Sequence, residues 1–169
     1  MSTYTLISSQ VLGSSAASVT FSSIPQTYKD LVLKTSVRTD LSSSARTNLR
    51  LTFNGLTTGY SETYLLGYDS STLSSNNTGV AWFYHEYVEG APATSNTFSS
   101  GELYVPNYAG STYKPMSLNS LAENNSTTGW GNYIKAFLLS NTAAIASLTL
   151  TAASGVNILA NSSFYLYGI

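Results

Sequence analysis

The chain has 169 residues, of which 43% are hydrophobic and only 9% are charged, with a formal net charge of −1 and no cysteine. Since an average globular domain carries roughly 25% charged residues, the surface here must be neutral and rich in Ser, Thr and Asn, and nothing offers the clustered positive charge that nucleic acid or an anionic membrane requires. Disulfides and thiolate metal sites are excluded, and the length fits one domain over residues 1–169.

The N-terminal part predicts short strands and neither a signal peptide nor a membrane span. Residues 4–7 and 19–21 are strand candidates separated by a flexible Gly/Ser/Ala segment. Pro25 fixes its own φ and predicts a corner after them. The first residues lack the basic and apolar regions of a signal peptide, and no run of about 18 apolar residues occurs anywhere.

The clearest alternation lies in residues 31–53. Leu31, Leu33 and Val37 share one face of a strand, and residues 49–53 repeat the pattern. The two segments are predicted to form an antiparallel hairpin across residues 40–47. Because Asn54-Gly55 is a strong hairpin turn, we expect it to lead into a third strand at residues 60–68 and complete a meander.

The middle of the chain predicts a Ser/Asn-rich loop at residues 70–79, followed by an aromatic strand at 80–88. Further strands are predicted at 97–105, 116–122 and 130–139. Both faces of the last one are apolar, which indicates a central strand or a face that a neighbouring element covers.

The C-terminal region predicts two strands, at residues 144–151 and 163–169. The second is dense in aromatic residues, and an unpaired terminal segment would fray, so we expect it to pair on at least one side. No segment has helical periodicity over a dozen residues. The predicted fold class is therefore all-β, a single antiparallel β-sandwich of jelly-roll-like style.

Several of these segments together resemble a family of small virion structural proteins of tailed bacteriophages, described as head decoration or fibre-like β-sandwich proteins. The resemblance spans nearly the whole chain. It is carried by residues 23–28, 30–33, 49–55, 122–125 and 164–169.

This resemblance implies a structural role at the surface of a phage particle. The preferred function is a capsid decoration, or cement, protein that binds the phage major capsid protein of the assembled head, with a homotrimer as the preferred assembly. A tail-fibre or receptor-binding module that recognises a host cell-surface glycan is the alternative, and a small hydrolase acting on that glycan is a third class. Neither nucleic acid nor membrane is an expected partner.

Catalytic and metal-binding residues are not predicted. His85 is the only histidine and lies beside Glu86 and close to Glu89, but abundant serines make a Ser/His/acid arrangement uninformative, and no Gly-x-Ser-x-Gly motif occurs. A pair of acids for glycoside hydrolysis is conceivable among Glu62, Asp69, Glu86, Glu89, Glu102 and Glu123. Solvated surface charge is the favoured interpretation of these acids. One His and no Cys leave no zinc-type site, and no cofactor is expected.

Two sets of residues are candidate binding surfaces. Lys34, Arg38, Arg46 and Arg50 belong to the predicted hairpin region and are predicted to form a capsid-docking face, with a merely solubilising face as the competing interpretation. Among the many aromatic residues, most are expected in the core or at subunit interfaces, where they supply buried area. Trp130, between two glycines, is the candidate for stacking on a glycan in the alternative function.

Overall fold

The computed structural model describes residues 3–125 and 131–169. The described chain contains twelve strands and one short 3-10 helix, Ala153–Gly155. The strands are β1 (Thr5–Val11), β2 (Ser18–Phe21), β3 (Leu31–Val37), β4 (Arg46–Phe53), β5 (Tyr60–Tyr68), β6 (Ser71–Val80), β7 (Phe83–Glu89), β8 (Ser99–Val105), β9 (Lys114–Ala122), β10 (Gly131–Leu139), β11 (Leu148–Ala152) and β12 (Ser163–Gly168).

The strands form two sheets, and all neighbouring strands are antiparallel. The large sheet has eight strands in the order β1-β12-β3-β8-β9-β10-β5-β6, and the small sheet has four in the order β2-β11-β4-β7. Most connections cross from one sheet to the other. The predicted all-β antiparallel sandwich is therefore confirmed.

The core lies between the sheets and follows from strict alternation along the strands. In β9, Met116 and Leu118 point inward while their neighbours are exposed, and β4 buries Leu49, Leu51 and Phe53 in the same way. These side chains belong to one continuous cluster of buried hydrophobic residues. Burying a large apolar side chain contributes roughly 1.5 to 3 kcal/mol, so packing stabilises a chain that has no disulfide.

The C-terminal strand is paired on both sides, as the sequence predicted for at least one. β12 lies between β1 and β3, and its Phe164 and Leu166 are fully buried. The backbone of Ile169 continues the pairing, because its N–H donates to Asp30 O at 3.0 Å and its carbonyl accepts from Lys29 N at 2.8 Å. The preceding strand is shorter than predicted. β11 begins at Leu148 rather than at residue 144.

The predicted hairpin between residues 31–37 and 49–53 is wrong. β3 lies in the large sheet and β4 in the small one, so residues 40–47 cross between sheets instead of turning within one. At the end of β3, Thr39 N donates to Glu89 O at 2.8 Å, which directs the chain toward the small sheet. Alternation identifies a strand and its buried face, but both sheets of a sandwich bury one face, so it does not choose the partner.

The turn at Asn54-Gly55 is present, but the predicted hairpin to β5 is also wrong. Both residues have positive φ, 49° and 68°, and Leu56 N donates to Phe53 O at 2.9 Å. The Asn54 side chain then bonds to another segment, donating to Ala144 O and accepting from Ser147 N. These bonds occupy backbone groups before β11, and the chain crosses from β4 to β5 in the other sheet.

The predicted loop at residues 70–79 is a strand. β6 pairs with β5 along its whole length and forms the edge of the large sheet. Asn is depleted in strands, but at an edge the Ser, Thr and Asn side chains of β6 are mostly exposed and need no apolar neighbour. One of them makes a specific contact, since Asn77 Nδ2 donates to Glu62 Oε1 at 2.8 Å.

The large sheet extends past the β7 edge of the small sheet. Lys135 on the inner face of β10 donates to the carbonyl oxygen of Tyr84 on β7 at 2.7 Å. Arg46, on the outward side of β4, lies over the ring of Tyr68 on β5 at 5.2 Å. Strands β10, β5 and β6 thus turn toward this edge and leave a cleft beside it.

Candidate functional site

The four predicted docking residues do not form one face. Lys34 is on the outward side of the large sheet and pairs with Glu102, with Nζ and Oε2 3.1 Å apart. Arg46 and Arg50 are on the outward side of the small sheet. Arg38 is buried, with 8% of its surface exposed. The prediction fails because it assumed that β3 and β4 share a sheet.

Arg38 is a structural residue of the interior. Its Nη1 donates to Thr94 O at 2.8 Å and Thr97 O at 2.9 Å, and its Nη2 donates to Ala93 O at 2.9 Å. The guanidinium has five donors in a planar fork, and here they bind the carbonyl groups of the segment between β7 and β8. Arg38 thus holds this crossover against β3.

Arg46 and Arg50 lie against aromatic rings beside the β7 edge. The Arg50 guanidinium is 4.1 Å from the ring centroid of Trp82, and that of Arg46 is 4.8 Å from Tyr87. A cation over a ring face is stabilised by roughly 0.5 to 1 kcal/mol at an exposed site. Of these rings, Tyr87 lines the cleft, and Trp82 meets the cleft residue Tyr84 edge to face at 6.4 Å.

The glycan-stacking prediction at Trp130 lies outside the described residues. Other aromatic residues converge on the cleft from two strands, Tyr64 from β5 and Tyr84 and Tyr87 from β7.

His85 and Glu86 form a pair inside the sandwich. A register shift between β4 and β7 at this point allows both side chains to be buried, and both are 0% exposed. His85 Nδ1 is 3.5 Å from Glu86 Oε1, which also accepts from Thr35 Oγ1 at 2.7 Å. Because the pair has no exposed surface, no solvent-borne substrate touches it in this structure.

The other acids were expected to be solvated surface charge, and this is wrong for Glu62 and Glu89, which are 3% and 0% exposed. Glu89 is buried and accepts from Asn124 Nδ2 at 3.0 Å. Burial raises the pKa of Glu89, against the opposing effects of the Asn124 hydrogen bond and the Arg38 charge. Glu102 pairs with Lys34 on the surface, whereas Glu62 belongs to the cleft.

The cleft beside β7 is the most developed polar site of the described chain. It has a volume of about 300 Å³. The small sheet contributes one wall, and β5, β6 and β10 contribute the other. Its lining residues are Asn48, Glu62, Tyr64, Asn77, Tyr84, Tyr87, Tyr133 and Lys135.

A buried ion pair lies at the base of this cleft. Lys135 Nζ and Glu62 Oε2 are 3.7 Å apart, and each side chain is 1% exposed. Burial lowers the pKa of Lys135 to about 8, although the Glu62 charge acts to raise it. The ammonium also lies over the ring of Tyr133 at 3.9 Å. The pair is net neutral and is held by β5, β6 and β10 together.

Two buried oxygen atoms of the cleft accept no hydrogen bond. They are Glu62 Oε2 and Asn48 Oδ1. Leaving a buried acceptor unsatisfied costs roughly 1 to 3 kcal/mol, and such groups in native proteins usually bind water or a ligand.

The sequence held a signal for this site that the predictions did not use. Lys135 has the same parity as Tyr133 and Phe137, so a charged residue stands among core positions of β10. Charges are almost never fully buried without a partner, and this parity alone indicates a buried ion pair. Glu62 as the partner follows only from the pairing of β10 with β5, which places Phe137 opposite Glu62 and Lys135 opposite Tyr64.

A second surface is the outward side of β5, β6, β9 and β10, which we call the neutral wall. Its outward side chains carry no charge over the described strands and include three large exposed apolar residues: Leu65, Leu121 and Ile134, which are 51%, 49% and 57% exposed. Leu65 and Ile134 are directly opposite each other in the β5–β10 register. A shallow depression of about 450 Å³ lies over this pair and Ala136.

Two further observations apply to the part of the chain that the structure describes. It contains no group of three or more His, Cys, Asp or Glu side chains placed to hold a metal ion. No helix among residues 3–125 and 131–169 has the length and apolar character to cross a membrane.

Comparisons with known proteins give no family. No protein-family model matches the chain, and no curated protein matches it. Among solved structures, the chain is similar to one described as the crystal structure of scytalido-glutamic peptidase with a transition state analog inhibitor. The match has 12% identity and a TM-score of 0.22 and covers 95% of this chain and 66% of that one. A score this low supports no inference about function.

Proposed function

We propose that this protein is a structural component of a tailed-bacteriophage particle and that it decorates the assembled head. The resemblance of five segments of the chain to small phage virion proteins supports the first part of this proposal, that the protein belongs to a phage particle. The neutral wall is the structural observation that supports docking on a protein shell. The partner is then the major capsid protein, and the proposed site of the protein is the particle surface.

The neutral wall has the character of a protein-binding surface. Fully buried centres of interfaces are depleted in charged residues and rich in apolar contact, and here Leu65, Ile134 and Leu121 supply apolar area within a frame of Ser, Thr and Asn. Such a frame can hydrogen-bond to a partner without the desolvation cost that charged groups incur. Repetition over a symmetric shell multiplies modest contacts through avidity.

This docking surface replaces the predicted basic face, and binding through it is not expected to depend on salt. Contacts between charged groups weaken as salt screens them, but an uncharged wall has nothing to screen. Head binding should therefore be equally strong at low and high salt.

The experiment offers purified protein separately to undecorated heads and to host cells and counts bound copies. We expect heads to saturate at a symmetric copy number, without sugars or metal ions. Ile134→Lys places a charge in the centre of the wall and should weaken binding by at least about tenfold, or about 1.4 kcal/mol. Ser43→Lys adds the same positive charge at an exposed position between β3 and β4 and should bind normally.

Two results contradict the proposal. Absence of binding to heads would overturn decoration, and equal binding by Ile134→Lys and the unmodified protein would exclude the neutral wall. Melting curves for both variants separate lost binding from lost folding. Since Ile134 is 57% exposed, both variants should melt near the unmodified protein.

The cleft favours the second candidate function, a receptor-binding module of the tail that recognises a cell-surface glycan. Aromatic rings beside polar groups are the usual means of holding a sugar ring, because the rings have apolar faces and polar tips. Binding to host cells that free glycan competes away, with none on heads, would favour this candidate over decoration.

A further inference from the structure

The cleft contains more polar chemistry than docking on a shell requires. Glu62 Oε2 and Asn48 Oδ1 are buried and accept no hydrogen bond, although Lys135 Nζ lies 3.7 Å from Glu62 Oε2. Glu62 is nine-tenths buried or more, at 3% exposure, and lines the cavity directly. Both oxygens are acceptors, so a ligand that binds to them must supply hydrogen-bond donors, as hydroxyl groups do.

The charges in the cleft disfavour ionic partners. A carboxylate attracted to Lys135 would also lie close to Glu62, and an ammonium attracted to Glu62 would also lie close to Lys135. In a site of low dielectric each such like-charge contact is costly. The two protein charges already lie 3.7 Å apart and neutralise each other. A neutral ligand avoids both repulsions.

The remaining walls are tyrosine rings that other contacts hold in place. The Tyr64 and Tyr133 rings meet edge to face at 5.6 Å, and Tyr87 packs on Tyr133 at 4.5 Å. Tyr64, Tyr84 and Tyr87 are only half-buried, so part of each ring borders the cavity. Preorganised rings bind a flat apolar face without a large cost in ordering.

We propose that this cleft is a binding site for one neutral pyranose sugar. The sugar donates hydroxyl hydrogen bonds to Asn48 Oδ1 and Glu62 Oε2 and packs its apolar face against the tyrosines. The volume of about 300 Å³ is at the lower end of small-molecule sites, which range from roughly 300 to 1,000 Å³. It suits a single ring rather than a long oligosaccharide.

The site does not depend on where the protein lies in a particle. On a head it would attach the particle weakly to glycan-bearing surfaces, and on a tail it would contribute to receptor recognition. The neutral wall and the cleft are formed by opposite faces of β5 and β10, so one chain can use both.

The test is a titration of the full chain with methyl glycosides of neutral hexoses. Binding is measured by saturation-transfer NMR and by tyrosine fluorescence. Uronic acids and amino sugars with the same ring configuration are the charged counterparts. We expect at least one neutral glycoside to bind and its charged counterparts to bind at least about tenfold more weakly. A charged counterpart that binds as well as the neutral sugar would contradict the assignment.

Variants locate the site. Asn48→Ala should weaken binding of that glycoside by about tenfold, and Tyr84→Leu should weaken it as well. Asn119→Ala removes the same side chain from an exposed outward position of β9 and should have no effect. If Asn48→Ala and Tyr84→Leu melt normally and still bind the glycoside as the unmodified protein does, the proposal is wrong. A lack of binding by every neutral glycoside would also overturn it. Loss of head binding has no bearing on this result, so the two proposals fail separately.

Discussion

At the scale of single residues, the informative feature is the number of charged groups that the fold buries. Only 9% of the residues are charged, yet Arg38, Glu62, Glu86 and Lys135 are all buried. Removing a charge from water costs several kcal/mol unless a partner compensates for it. Arg38 has carbonyl groups and Lys135 has a carboxylate, a carbonyl and a ring. These sites therefore fix how particular strands meet, which apolar packing alone does not specify.

Lys135 should make stability depend on pH in a defined window. The pKa of Lys135 is lowered by burial from 10.5 to about 8 in the folded chain. Between those values the unfolded chain binds a proton that the folded chain does not, so the free energy of unfolding rises with pH through the window. Relative to Lys135→Met, the unmodified protein should gain about 3 kcal/mol, since each pKa unit corresponds to about 1.4 kcal/mol.

The measurement is chemical denaturation of both proteins at pH values from 7 to about 10.5. The raised pKa values of buried Tyr60 and Tyr133 lower stability at the alkaline end, but both proteins contain these tyrosines, so the difference isolates Lys135. The double variant Lys135→Met/Glu62→Gln is the control. It removes both charges of the pair, so it does not leave the Glu62 carboxylate without its partner. A stability difference that stays constant with pH would show that Lys135 is not held as described.

At the scale of the elements, strand positions were predictable and strand partners were not. Residues 31–37, 116–122 and 163–169 have clear period-2 patterns, and strands lie there. The same patterns could not say that β3 pairs with β12 and β8, because alternation encodes a buried face and not a neighbour. β6 was missed for the opposite reason. An exposed edge strand needs no apolar pattern, so its Ser- and Asn-rich sequence is typical of a loop.

The face assignment in β4 can be tested directly. Leu51 is fully buried in the core and Thr52, its neighbour, is half-buried on the outward side. Leu51→Asp places an unpaired charge between the sheets and should cost about 3 kcal/mol or more, enough to unfold much of the protein. Thr52→Lys changes an outward group and should alter stability by at most about 0.5 kcal/mol. Thermal melting measures both, and equal tolerance of the two changes would mean that the faces are reversed.

At the scale of the whole molecule, two of the surfaces that the described strands form carry no charge. The neutral wall faces outward from β5, β6, β9 and β10. At the opposite edge of the large sheet, β1 is the outermost strand and exposes Leu6 and Val11, at 51% and 61%. Exposed apolar edge strands tend to pair with other chains. The sequence could predict the uncharged composition of these surfaces but not their separation, which results from a strand order with β1 and β6 at opposite ends.

Because the β1 edge and the neutral wall are separate, the predicted homotrimer can form through one surface while the other contacts the shell. If copies associate through the β1 edge while the neutral wall contacts the shell, the purified protein should sediment as a trimer. Leu6→Lys with Val11→Lys should then give a monomer, because two charges in a small apolar contact would be desolvated without partners. Ile134→Lys, on the wall, should remain trimeric while losing its affinity for heads.

Sedimentation velocity at several protein concentrations distinguishes these states. A monomeric unmodified protein would refute the trimer, whereas dissociation by Ile134→Lys and not by the β1 variant would show that the wall joins copies of this chain and that the shell contact lies elsewhere.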